Sequence, residues 1–427
     1  MKKFHLLILI TFLSINVFGQ TKIIKAKGFL NVQTGQLVEP ATLVIEDNII
    51  SEINPELLPN NAEIIDLKDK ILLPGLMDMH VHLDMDFIKN YQFQAVTESG
   101  SNAVLRGAKN ARKTLMAGFT TVRNIGQTHP TKELIGVSLA EASYADWIAA
   151  PRIIPCGHMI GITGGHADIA MMGGFAEGVF DLGVENGMIN GTDDALKATR
   201  YQIKYGAKAI KIMATAGVLS LEESIGAQQM TDEEMKTVVD EAHRHHITVG
   251  AHAHGPEGII EANKAGVNSI EHGSLLNEEA ITLMKERGTF LVPTTGLVDI
   301  ISNSYDNMDP RLVKKAKTIL PKAKESVKSA IESGVNIALG TDAPLIPHGE
   351  NIAELFAMMD RGMSAIQAMQ SATINPAKLL DLKNLGEIKT NYLADIIAVV
   401  ENPIENIKTL ENVKFVMKNG KIYKSEN

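Results

Sequence analysis

The sequence predicts an α/β protein: a (β/α)8 TIM-like barrel with a small β-sandwich domain formed from both termini. Three observations carry that expectation. Eight short apolar strand segments alternate with helical stretches through the middle of the chain, the order an eight-unit barrel requires. Strand-like pieces without helical period occupy both ends. No GxGxxG or GxxxxGK[ST] loop follows an early strand, so nothing supports an open nucleotide-binding sheet.

The chain opens with MKKFHLLILITFLSINVFGQ. Lys2 and Lys3 precede an apolar run from Leu6 to Phe18, and Gly19 offers a small-residue cut. The run is short for a membrane span, so residues 1–19 are expected to be a cleaved signal peptide, with an uncleaved anchor as the alternative. The mature protein is then expected in the periplasm or secreted, with no membrane association after cleavage. Residues 20–72 hold TKIIKAKGFLNV, ATLVIEDNIISEI and AEIIDLKDKILL, and residues 386–427 repeat that texture in ADIIAVVENP and NVKFVMKNGKIY. Together they are expected to form the sandwich.

Residues 73–385 are the expected barrel. Its strands read MDMHVHL, FTTVRNIG, RIIPCGH, AKAIKIMA, ITVGAHA, NSIEHG, TFLVPT and NIALGTDA. Helices lie between them, for example NAVLRGAKNARKTLMAG and DDALKATRYQIKYG, often closed by a glycine as at Gly266. Thr231 with Glu234 three residues later predicts a capping box.

Of 427 residues, 45% are hydrophobic and 21% charged, as in an ordinary folded domain. The net charge of -9 argues against a nucleic-acid partner, which would call for a basic face. Cys156 is the single cysteine, so no internal disulfide forms, and it is expected to be a buried small hydrophobe.

Barrel chemistry gathers at the C-terminal ends of the strands. Strand one ends in His80 and His82, strand four carries Lys211, strand five His252, strand six His272 and strand eight Asp342. Four imidazoles and a carboxylate suit zinc or a neighbouring transition metal rather than calcium or magnesium. Lys211 lies between Ile210 and Ile212. Such a lysine either snorkels or, if buried, loses basicity and can add carbon dioxide to become an anionic carbamate.

PGLMDMHVHL, AIKIMATAGV, GAHAHG, IEHG and LGTDAP together resemble the amidohydrolase superfamily, most closely its binuclear zinc Xaa-Pro dipeptidase and carboxypeptidase-like branch, with imidazolonepropionase-like and ochratoxinase-type relatives. The resemblance implies two divalent ions, zinc by the donor set, with His80 and His82 on the inner one. It further implies a carboxylated Lys211 bridging both ions and His252 and His272 on the second. Asp342 then binds the first ion and shuttles the proton, and a hydroxide bridging the ions attacks the substrate. His252 and His254 share strand parity, so alternation does not separate them; the motif order gives the metal to His252 and leaves His254 beside it. His166, in a TGGHAD loop, either touches substrate or the oxyanion, or is a hydrogen-bonded loop histidine.

The activity so implied is hydrolysis of an amide or peptide bond in dipeptides or N-acyl amino acids, by a chain that assembles as a homo-oligomer. The alternatives are a mononuclear cyclic-amide hydrolase or deaminase, and a non-catalytic metal-binding envelope protein. Three departures from the family pattern stand out. Asn124 follows Arg123 where an Arg-Asp pair is usual, and Ala216 and Leu221 alter the loop after Lys211. His129 is expected on a loop surface, and His243, His245 and His246 at the end of a helix.

Overall fold

The computed structural model describes residues 21–88, 91–218, 224–302 and 310–426. The leader expected over residues 1–19 and Leu221 lie outside them.

The barrel strands are Leu76–Val81, Phe119–Asn124, Arg152–Pro155, Ala209–Met213, Thr248–Ala253, Ser269–His272 and Phe290–Val292, with an eighth extended segment at 337–342. Strands one to three pair in parallel, as do four to seven. Backbone hydrogen bonds link the two groups into a ring. Lys208 donates to the Pro155 carbonyl and Met213 to Ile160. Ala338 donates to Leu291, Met79 to Leu339 and His82 to Ala343. Ringed by helices, these strands are buried on both sides, which is why AIKIM is buried throughout despite its lysine.

Outer helices form where the apolar residues recur at helical spacing. In Asp232–Arg244, Met235, Val238, Val239 and Ala242 are buried and the remaining face is largely charged. Its predicted capping box is present: the Thr231 side chain accepts from Glu234 N–H, and Glu234 accepts from Thr231 N–H at 2.8 Å. Gly266 closes the next helix with φ 103°, a value a side chain would strain. His243, His245 and His246 are exposed around the end of Asp232–Arg244, as expected. His129 departs from expectation: it is buried, and its Nε2 pairs with the Glu98 carbonyl at 3.1 Å.

The sandwich joins the chain ends. Ile396–Val399 pairs antiparallel with Ile71–Pro74, placing C-terminal strands in a six-stranded sheet with N-terminal ones. That sheet packs on a four-stranded sheet through Phe29, Leu43, Ile45, Leu72, Ile396 and Phe415. Strand Ile71–Pro74 runs two residues beyond position 72 before the chain enters the barrel at Leu76.

Asp78 locks the barrel seam. Fully buried on strand one, its Oδ1 accepts from His80 N–H at 3.0 Å and Thr341 N–H at 3.2 Å. Its Oδ2 accepts from the Thr341 hydroxyl and the Asn351 amide, each at 2.7 Å. Asp78→Ala removes the acceptor of the His80 and Thr341 amides and of the Asn351 side chain, leaving the Thr341 hydroxyl only the His80 carbonyl at 3.4 Å, and is expected to lower unfolding free energy by about 3 kcal/mol or more. Urea unfolding checks this; a loss below about 1 kcal/mol would show that the seam does not depend on Asp78.

Candidate metal centre

The strand ends converge. His80, His82, Lys211, His252, His272 and Asp342 all line one pocket of ≈ 660 Å³, together with His166. Two groups of donor atoms stand out, each within 4.8 Å: His80, His82 and Asp342 in one, and His252, His254 and His272 in the other. Every residue expected at the site is therefore brought together. His254 joins the second group although it does not line that pocket.

Neighbouring groups orient the imidazoles. His80 Nδ1–H donates to Glu271 Oε2 at 2.8 Å and His82 Nδ1–H to the Gly126 carbonyl at 2.9 Å. Both Nε2 atoms thereby face Asp342 Oδ1, at 3.4 Å and 3.3 Å. His272 Nδ1 pairs with Thr294 Oγ1 at 2.8 Å, and His254 Nδ1 with Ser274 Oγ at 2.7 Å. His252 Nε2 is buried with no hydrogen-bond partner among the described residues, a condition that a metal would relieve. The donor set and this orphaned nitrogen both fit a transition-metal site.

Beneath His80 lies a charge pair that sequence reading left without a role. Arg123 and Glu271 are both 0% exposed. Arg123 Nη2 donates to Glu271 Oε1 at 2.7 Å, Nη1 to Ser269 Oγ at 3.0 Å, and Nε to the Met79 carbonyl at 2.7 Å. Asn124 does other work, accepting from Leu83 N–H at 2.8 Å. The signal for Glu271 was present in IEHG, but strict alternation points it away from the His272 side. His272 has φ 71°, which turns the chain at that residue and lets neighbours in sequence face the same centre. Asp342, at φ 57°, does the same after Thr341.

Burial sets the electrostatics. Desolvation pushes the Lys211 amine down to about 8 and, with the Lys211 charge, His80 down to about 4. His252 and His272 are held well below the usual imidazole range, again mainly by burial. Burial opposes ionisation of Asp342, but the His80 charge and the His82 hydrogen bond and charge outweigh it and hold the carboxyl far below its ordinary range. Cys156, pushed up to about 12 by burial, has no nucleophilic character.

His166 sits against this cluster, its ring centroid 4.3 Å from that of His252. Gly217 is the reason it fits: a Cβ there would lie 2.2 Å from the His166 ring. The glycine after Ala216 thus permits close approach, whatever the changes around it.

Glu271→Gln keeps the shape but strips the charge opposite Arg123 and weakens the hold on His80. Metal affinity is expected to fall about 10–100-fold, with stability down by about 3–5 kcal/mol. Competition with a chromophoric chelator and urea unfolding read the two effects; unchanged affinity would separate the Arg123–Glu271 pair from the centre.

The amidohydrolase family model matches residues 71–423. Ochratoxinase of Aspergillus niger is 33% identical over 422 residues, covering 93% of this chain and 85% of that protein. A crystal structure of a Xaa-Pro dipeptidase with bound methionine in the active site superposes with TM-score 0.89 and 39% identity, covering 95% of this chain and 100% of that one. The crystal structure of the A. niger ochratoxinase gives TM-score 0.83 at 30% identity, covering 96% of each. The chain belongs to the amidohydrolase family and is a hydrolase acting on carbon–nitrogen bonds.

Proposed function

We propose that this hydrolase cleaves the amide bond of dipeptides or N-acyl amino acids, with two divalent metal ions, zinc by donor type, as cofactors. The observation that carries the reading is the convergence of four histidines, Lys211 and Asp342 on one pocket, with two donor groups side by side. The dipeptidase relative is named for cutting a dipeptide, which supports a substrate of that size here. His80, His82 and Asp342 would hold one ion, His252 and His272 the other. Lys211, 1% exposed, would bridge them as its carbamate, replacing a buried cation by an oxygen donor. The leader over residues 1–19 extends the proposal to an exported enzyme, periplasmic or secreted.

When bound, the ions supply Lewis acidity at the scissile carbonyl and lower the pKa of the attacking water. Asp342 takes the water's proton on its carboxylate and hands it to the leaving nitrogen. His166, whose ring lies beside that of His252, would donate to the developing oxyanion of the substrate. The buried Arg123–Glu271 pair holds His80 in the tautomer that presents Nε2.

Metal analysis of protein prepared with zinc and bicarbonate tests the centre. Wild type is expected to hold about two equivalents and Lys211→Ala about one or fewer. Two tightly held ions in the variant would remove the carbamate from the scheme. Asp342→Asn is expected to reduce kcat on a dipeptide panel by about 10²–10⁴-fold with the thermal midpoint little changed. An unaltered kcat would take the proton transfer away from Asp342.

A further inference from the structure

A second pocket opens from the same centre, sharing His166, His252, His272 and Asp342 with the first. It lies against helices Thr295–Ser302 and Pro310–Glu332. Its wall is Val218, Leu297, Val298, Ile301, Leu320 and Ala323, which form an apolar cluster separate from the main barrel core. Two of the hydroxyls lining it are engaged, Ser274 Oγ by His254 and Thr294 Oγ1 by His272, while the buried Thr295 Oγ1 has no hydrogen-bond partner among the described residues. Asp342, in the shared cluster, is the one acidic or basic side chain besides histidine among the described residues that line it.

We propose that this lobe receives a bulky apolar side chain of the substrate, so that preferred substrates release an amino acid of the leucine, methionine or phenylalanine kind. The inference rests on the amide-hydrolase reading above and names the substrate class within it. A group joined to an amide at the shared histidines can reach the lobe directly. An apolar side chain there leaves water for a matching surface, whereas a lysine or aspartate side chain would be desolvated with no partner supplied by the wall.

The test is calorimetric binding of glycine, alanine, leucine, methionine, phenylalanine, lysine and aspartate to the zinc-loaded protein, beside kcat/KM for dipeptides containing the same residues. Leucine, methionine and phenylalanine are expected to bind at least about tenfold more tightly than glycine or lysine. Val298→Trp, which fills the lobe, is expected to erase that advantage. Leu320→Ala, which widens it and makes a smaller packing change, is expected to shift the preference toward phenylalanine. Equal binding across the series, or an advantage that neither variant alters, would overturn the proposal. If the binding order holds while no dipeptide is cleaved, the lobe stands and the amide reading fails. If dipeptides are cleaved without preference for apolar residues, the reverse is true.

Discussion

A guanidinium and a carboxylate, both removed from water, meet inside the barrel, and the centre is built on that contact. Arg123 comes from strand two and Glu271 from strand six, on opposite sides of the ring. Neither ion is tolerable there alone, since breaking such a pair costs about 3–5 kcal/mol. The pair therefore holds the two strands in register with each other. Its remaining valences are also used: Arg123 reaches the Met79 carbonyl on strand one, and Glu271 accepts from His80. The orientation of the first donor is thus set by charges that no substrate touches.

Above this layer, the chain changes direction at two residues of the candidate centre. His272 and Asp342 both lie in the left-handed region, where aspartate and histidine are better tolerated than bulkier or branched side chains. The turn spends the alternation of the strand to gain density of function. Glu271 and His272 both reach His80, one by hydrogen bond and the other with ring centroids 5.0 Å apart. Thr341 closes the seam on Asp78 while Asp342, next in line, faces His80 and His82. Strand eight can come this close because Gly340 has no side chain: a Cβ there would lie 2.3 Å from Val292 and 2.8 Å from His80.

This explains what was legible in the sequence. The strand–helix alternation and the β-rich ends are local patterns, and the barrel and sandwich follow from them. The candidate metal donors were legible because they lie toward strand ends, and barrel topology brings strand ends together whatever the details of packing. Asp78 and Glu271 were not, since their partners lie 263 and 191 residues away. A buried acid in an apolar strand signals that some partner exists without naming it. His129 was misplaced for the same reason: its burial depends on the fold around Glu98, not on the proline beside it.

The histidines of GAHAHG show where strand parity stops being informative and hydrogen bonding takes over. His252 and His254 point the same way, and both fall in the donor group with His272. Their surroundings differ. His254 is tied through Nδ1 to Ser274, its ring stacks on His272 at 5.0 Å, and it faces the second cavity alone. His252 lines both cavities and keeps a buried Nε2 without a partner among the described residues. Leaving such a nitrogen unsatisfied costs about 1–3 kcal/mol; buried His348 carries the same burden on both ring nitrogens, so what sets His252 apart is that it lies in the donor group with His272. The cost is repaid when a metal occupies that lone pair. These surroundings support the proposed assignment, in which His252 would be the ligand and His254 would stand between the centre and the apolar lobe.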